Sequence, residues 1–162
     1  MSNEEQKTPK EYKEFYDRLH SEFEERYSYE TYEPHRIRLG LILKELSRLM
    51  RQDRRVVDIG MGEGLYGYWL TKKGASYIGV DIAYPCVRNA KHYAKKENWN
   101  QRADFIMADA ACLPLRSNAF DIAICSEVLE HVLNPRTVLS EIGRIARMAI
   151  ISTPCSGAPI ID

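Results

Sequence analysis

Residues 58–64 read Asp-Ile-Gly-Met-Gly-Glu-Gly, an acid followed by glycine at every second position. Glycine lets bare backbone come close to a ligand, and a helix that starts just after such a loop offers it free N–H groups. A dinucleotide-binding loop needs a further glycine at position 65, and Leu65 stands there instead. Asp58, two residues before the first glycine, would repel a pyrophosphate. It suits a ligand that carries cationic groups. The plain alternative is a tight strand-to-helix turn with no ligand, since short glycine patterns recur by chance.

Other residues add chemistry further along. Asp81 stands seventeen residues beyond Gly64, about one helix and one strand on. In a β-α-β unit that brings its carboxylate beside the glycine loop, where it can accept two hydroxyls. Its competing role is a cap for a helix opening at Pro85. Glu127, Glu130 and His131 are the candidate general bases, with His131 the nearest to a neutral titration. Against this, Glu130 and His131 could simply cap and pack a helix start.

The elements that must position these groups alternate strand and helix. The β-branched run 56–59 reads as a buried strand, and residues 65–70 as a helix stopped by Gly74. Strands follow at 76–80, ending at Asp81, at 104–108, ending at Asp109, and at 120–125. Helices are expected over 85–96 and from Asn134-Pro135 to about Ile145, and residues 148–152 form a fifth strand. Upstream, Tyr12, Phe15, Tyr16, Leu19 and Phe23 follow helical spacing. A second helix after Pro34 carries Leu39, Ile42, Leu43, Leu46, Leu49 and Met50 on one face. Tyr29 and Tyr32, between the two, could wall a pocket or merely pack. This pattern predicts one α/β domain over 1–162: two N-terminal helices (10–50) before a doubly wound, mainly parallel sheet (54–154).

Composition bounds the function. The 162 residues are 44% hydrophobic and 28% charged, ordinary for a globular chain with a real core. Lys plus Arg and Asp plus Glu are both 23, so no net charge draws the chain to nucleic acid or an anionic membrane. The arginines at 48, 51, 54 and 55 could form a local basic patch, though such runs are more often a solvated helix end and turn. Cys86, Cys112, Cys125 and Cys155 have no C-x-x-C spacing, which points to a reduced, cytoplasmic protein. No apolar stretch is long enough to span a bilayer.

Four segments, residues 56–64, 79–82, 108–115 and 120–132, together resemble the class I S-adenosyl-L-methionine (SAM) dependent methyltransferases, of the small-molecule and ubiquinone-biosynthesis type. The resemblance covers residues 35–154. It implies that Asp58, Gly60, Gly62 and Gly64 hold the methionine part of SAM. Asp81 would take the ribose hydroxyls, and Ile82 would lie against the adenine face. Asp109 would accept from the adenine amine while Ala110 donates its backbone N–H. Ser126 and Glu127 would stand where the methyl meets its acceptor. Arg36 or Arg38 could pair the cofactor carboxylate, although surface pairing is the commoner fate of such arginines.

The implied function is methyl transfer from SAM to a small molecule. The chain then mainly orients and desolvates, and a base is needed only where the acceptor must lose a proton. The alternative is a catalytically weak SAM-binding subunit that scaffolds or activates a partner; a nicotinamide-binding oxidoreductase is disfavoured by Leu65. The i, i+3 and i+4 spacing of Glu127-x-x-Glu130-His131 would put the three on one helix face, and the string is also similar to part of the metal-ligand set of small-RNA 2′-O-methyltransferases. No histidine follows His131 to complete that set, and no metal is assigned.

Two departures from the family stand out. Its usual glycine turn before the fifth strand is replaced by Ile145-Ala146-Arg147, and its last two strands, an antiparallel hairpin, are not countable here. In the family's strand order 3-2-1-4-5, the apolar fifth strand then lies at a sheet margin. It is expected to be covered by residues 153–162 or by a second chain, most simply in a homodimer.

Overall fold

A computed structural model describes residues 33–154, with side chains from Ile37 onward. In chain order the elements are α1 (Glu33–Leu49), β1 (Arg55–Ile59), α2 (Leu65–Lys72), β2 (Ser76–Asp81) and α3 (Tyr84–Lys96). Then come β3 (Ala103–Met107), β4 (Phe120–Ser126), α4 (Pro135–Ile145) and β5 (Ala146–Ser152), with short 3₁₀ turns at Asn100–Arg102 and Leu129–His131. The chain divides into two units, Met1–Lys44 and Glu45–Asp162; α1 runs across the division, and the sheet belongs to the second. The helix expected from Lys10, together with Tyr29 and Tyr32, lies outside the described residues.

The five strands form one parallel sheet in the order β3-β2-β1-β4-β5. The order reverses between β1 and β4, which is where doubly wound sheets open a crevice for ligands. Register decides which side chains share a face. Asp58 is level with Gly79 on β2 and Ile124 on β4, and Gly79 is level with Phe105 on β3. Val56, Asp58, Tyr77, Gly79, Asp81, Phe105, Ile122 and Ile124 therefore line one face. The opposite face carries Val57, Ile59, Val80, Ala123 and Cys125, packed with Val138, Ile142 and Ile145 of α4.

On the first face α2 sits directly on an aromatic group. A Cβ at Gly67 would lie 2.6 Å from the Tyr77 ring and 2.9 Å from Trp99, so only glycine allows this approach. Tyr77, Trp99 and Phe105 meet edge to face, with ring centroids 5.5–6.3 Å apart. Such pairs add about 0.5–1.5 kcal/mol each beyond the area they bury.

Most boundaries fall where expected. α4 starts at Pro135 behind Asn134, whose side chain accepts from the Thr137 N–H at 3.4 Å. β3 begins and ends one residue earlier than the pattern suggests. β5 starts at Ala146, two residues early, because α4 passes into it with no intervening turn: Ala146 is already extended, at φ −128° and ψ 150°. No glycine is needed there, since the chain leaves the helix through an extended residue instead of a left-handed one.

Candidate functional site

The glycine loop joins β1 to α2 at the carboxyl edge of the sheet. Gly60, Gly62 and Gly64 have φ of 71°, 55° and 77°, left-handed values that a side chain would strain. The loop is tied down from below, because the N–H groups of Gly60 and Met61 both donate to the Val80 carbonyl, at 2.8 and 3.0 Å. Val128, just past β4, fills the space a Cβ on Gly60 would need, and the Met61 sulfur does the same at Gly79. Gly62 is different. A Cβ there would meet no atom within 4 Å, so the loop is open on that side.

Asp81 ends β2 and braces this open part. Its Oδ2 accepts from the Gly62 N–H at 2.9 Å and its Oδ1 from the Ala83 N–H at 2.8 Å. The residue capping α3 is Ala83, so Asp81 fixes the turn into that helix without capping it. Each carboxylate oxygen retains acceptor capacity for a further donor. Beyond it, the Ile82 side chain is 71% exposed, a bare apolar surface beside an acid. Asp109, after β3, is exposed and uses Oδ1 to accept from the Ala111 N–H at 2.8 Å, leaving the half-buried Ala110 at the bend.

Asp58 lies beneath the loop and is 1% exposed, the one buried charged group among the described residues. The Tyr77 hydroxyl donates to its Oδ2 at 2.8 Å. Burial pushes the Asp58 carboxyl up to about 7 against the opposing effect of the Tyr77 hydrogen bond, and the Asp81 charge pushes the same way as burial. The Tyr77 hydroxyl is itself raised well above its ordinary value by burial and by Asp58. No cationic side chain pairs with Asp58 among the described residues.

On the other side of the loop, β4 ends in Ser126, and Glu127 follows it. The Ser152 Oγ at the end of β5 donates to Glu127 Oε1 at 3.1 Å, and Ser126 Oγ lies 2.9 Å from Ser152 Oγ. A hydroxyl has one proton to give. With that of Ser152 directed at the carboxylate, Ser126 donates to Ser152 and Tyr66 donates to Ser126, the last at 3.4 Å. Three hydroxyls thus point in series toward Glu127. Its backbone N–H donates to the Ser152 carbonyl at 2.9 Å, and its φ of 55° is an uncommon, strained value for a glutamate.

The expectation that Glu127, Glu130 and His131 share a helix face is corrected here. Glu127 is left-handed, and Leu129–His131 is a single 3₁₀ turn that ends before α4 begins. Glu130 and His131 therefore do not cap α4; Asn134 does. His131 Nε2 lies 3.9 Å from Glu130 Oε1 and is largely exposed. Arg38 sits on α1, and the Arg36 side chain lies outside the described residues. Sequence reading missed Tyr66, Tyr77 and Ser152. The available signal for Ser152 was that β4 and β5, both apolar, each end in a serine.

Comparison with known proteins gives this geometry a context. A family model described as a methyltransferase domain matches residues 57–148. The chain is 34% identical over 86 residues to a ubiquinone biosynthesis O-methyltransferase of Coxiella burnetii, a match covering 53% of this chain and 36% of that protein. It thus spans only about a third of the length of that curated relative. Among solved structures, the PH0226 protein of Pyrococcus horikoshii aligns with a TM-score of 0.63 and 27% identity, covering 82% of this chain and 60% of that one. A [4+2]-cyclase, SpnF, also aligns at 0.63 with 27% identity, over 66% of this chain and 40% of its own.

Proposed function

Since this chain belongs to the methyltransferase-domain family, we propose that it binds SAM at the carboxyl edge of its sheet and transfers a methyl group to a small-molecule acceptor. The observation that carries this reading is the carboxylate of Asp81 hydrogen-bonded to the open glycine loop at Gly62, 2.9 Å away. The residues present fit the cofactor. Two hydroxyls of a ribose match the remaining acceptor capacity of Asp81, exposed Ile82 offers an apolar surface to a flat base, and Asp109 with Ala110 supplies an acceptor and a backbone donor. A phosphate would meet Asp58 and Asp81 instead, and both repel it.

When bound, SAM supplies an activated methyl on a sulfonium. The chain's own part is to hold and screen. Gly60, Gly62 and Gly64 let backbone approach the methionine portion, while Val128 packs against Gly60 and the Met61 sulfur against Gly79. Glu127, aimed by the hydroxyl series, is the residue best placed to accept a proton from the acceptor; Glu130 and the exposed His131 are its weaker rivals. An oxygen acceptor is supported by the relative named as an O-methyltransferase. Three free cysteines among the described residues, Cys86, Cys112 and Cys125, favour a cytoplasmic location. No helix of the described residues is long and apolar enough to cross a membrane.

One observation favours a second reading, a SAM-binding subunit with little methyl transfer of its own: a cyclase shares this fold. Calorimetry with SAM, S-adenosylhomocysteine and NAD tests the binding part. Both adenosyl compounds should bind and NAD should not. Asp81→Ala should weaken SAM by roughly tenfold to a hundredfold, as the loss of charged hydrogen bonds predicts. A clear isotherm with NAD and none with SAM would overturn the assignment. Release of S-adenosylhomocysteine by the isolated chain with any small acceptor separates the two readings.

A further inference from the structure

The turn that carries Asp109 and Ala110 is slung between two anchors. At its near end the Ala108 N–H donates to the Asp81 carbonyl at 3.0 Å, tying it to the strand end that braces the glycine loop. The turn is then closed twice by Asp109. Its Oδ1 accepts from the Ala111 N–H at 2.8 Å, and its carbonyl accepts from the Cys112 N–H at 3.0 Å. The next residue, Leu113, is gripped by both polar groups of its backbone. Its N–H donates to Glu141 Oε2 at 2.8 Å, and its carbonyl accepts from Arg144 Nη2 at 3.1 Å. The Leu113 side chain is buried in the same core cluster as Val138 and Ile142 of α4.

Arg144 holds more than one point at once. Its guanidinium donates to both oxygens of Glu141, at 2.7 and 2.8 Å, and to the Leu115 carbonyl at 2.7 Å. Its own carbonyl accepts from the Asn118 N–H at 2.8 Å, so the loop is fastened on its far side too. A planar fork with donors in fixed directions suits this task; a lysine ammonium does not.

We propose, on the reading that SAM binds here with its adenine at this turn, that Arg144 and Glu141 are positioning residues for base recognition. They act through the backbone of Leu113 and not on the ligand itself. Asp109 is exposed, so core packing does little to aim its carboxylate. With Oδ1 engaged inside the turn, the position of the turn sets where the other oxygen stands. Cys112 is bonded back to Asp109, and a displacement of Leu113 is therefore passed to the whole turn. Recognition of one edge of a base requires its partners to be held within about 0.5 Å of the productive geometry. The grip on Leu113 is what supplies that precision. A strap with only a structural role would lower stability and leave the choice of base alone.

The test is calorimetric titration of the full chain with S-adenosylhomocysteine and with S-inosylhomocysteine. The second carries an oxygen in place of the amine from which Asp109 would accept. Every titration is run well below the melting temperature of the variant. The unmutated chain should prefer the adenosyl ligand by about tenfold or more, the worth of one hydrogen bond to a charged acceptor. Arg144→Ala should bring that preference down toward the value found with Asp109→Ala. Arg144→Lys keeps the charge without the fork and should resemble Arg144→Ala more than the parent. Glu141→Gln keeps an acceptor for the Leu113 N–H but loosens the pairing with Arg144. It should lower the preference less, and it carries the test if Arg144→Ala fails to fold. Arg116→Ala, an exposed neighbour on the same loop, should change nothing. If Arg144→Ala and Glu141→Gln melt lower but keep the parent's preference, the strap is structural alone and the proposal is wrong, while cofactor binding stands. If the unmutated chain binds both ligands equally, the turn does not read the amine and the proposal is wrong on that ground. If neither ligand binds, the proposed function itself fails.

Discussion

At the scale of single residues, Asp58 gives up stability at neutral pH for a charge beneath the loop. Its folded value of about 7 lies above the ordinary 3.8, so between these limits the native chain keeps a proton that the unfolded chain has released. Stability therefore falls as pH rises through this window, and the full penalty, on the order of a few kcal/mol, is present above it. Asp58→Asn should remove that slope. The variant is expected to melt higher than the parent at pH 8 and much the same at pH 4, while binding SAM less well. Thermal unfolding against pH checks this, and equal slopes for the two proteins would contradict it. Asp58 then joins the strained Glu127 as a residue whose local disadvantage is tolerated by the surrounding structure.

At the scale of elements, the loop that carries Asp109 and Ala110 is strapped to α4. Arg144 donates to the carbonyls of Leu115 at 2.7 Å and Leu113 at 3.1 Å, and to both oxygens of Glu141 at 2.7 and 2.8 Å. Glu141 in turn accepts from the Leu113 N–H at 2.8 Å. The Arg144 hydrogen bonds hold the Glu141 carboxyl down to about 2, from an ordinary 4.5. A lowered value contributes stability above the ordinary one, and that contribution is lost as pH falls toward the folded one. Arg144→Ala should lower the melting temperature at pH 7 and lower it less as pH approaches 2. It should also speed amide exchange at Leu113, which hydrogen-exchange mass spectrometry can read. A second link joins α2, β4 and β5 through Tyr66, Ser126 and Ser152. Ser152→Ala should cost about 1 kcal/mol by chemical denaturation, and Ser152→Thr should restore it if the hydroxyl is what matters.

At the scale of the whole molecule, β5 is the apolar margin of the sheet among the described residues. Among the described residues it pairs with β4 alone, and Met148 and Ile151 are 36% and 40% exposed. An apolar edge with unpaired N–H and C=O groups invites strand addition. Either a second copy or the residues beyond 154 is expected to cover it. Light scattering should then find a dimer, or amide exchange at 148–151 should be slow in a monomer. A strict monomer with fast exchange along β5 contradicts both. In a dimer, Ile151→Lys should shift the equilibrium toward monomer by placing a charge on the edge.

What the sequence determined by itself was the order of things along the chain. The β-branched run 56–59, the alternating glycines and the Asn134-Pro135 pair each specify backbone shape through local sterics, and β1, α2 and α4 begin within a residue of where those signals place them. The nearness of Asp81 to the loop was legible too, because one helix and one strand return the chain to the same sheet edge. Tertiary structure alone decided what faces what. That Tyr77 reaches Asp58 follows from two strands lying in register and from Gly79 leaving a gap, neither visible in a linear pattern. The same holds for Ser152, distant in sequence from Tyr66 but linked to it through Ser126, and for Glu127, whose left-handed backbone breaks the helix face its spacing suggested. Periodicity encodes which side of an element is apolar. The depth of a carboxylate and the direction of a hydroxyl depend on neighbours that only folding brings together.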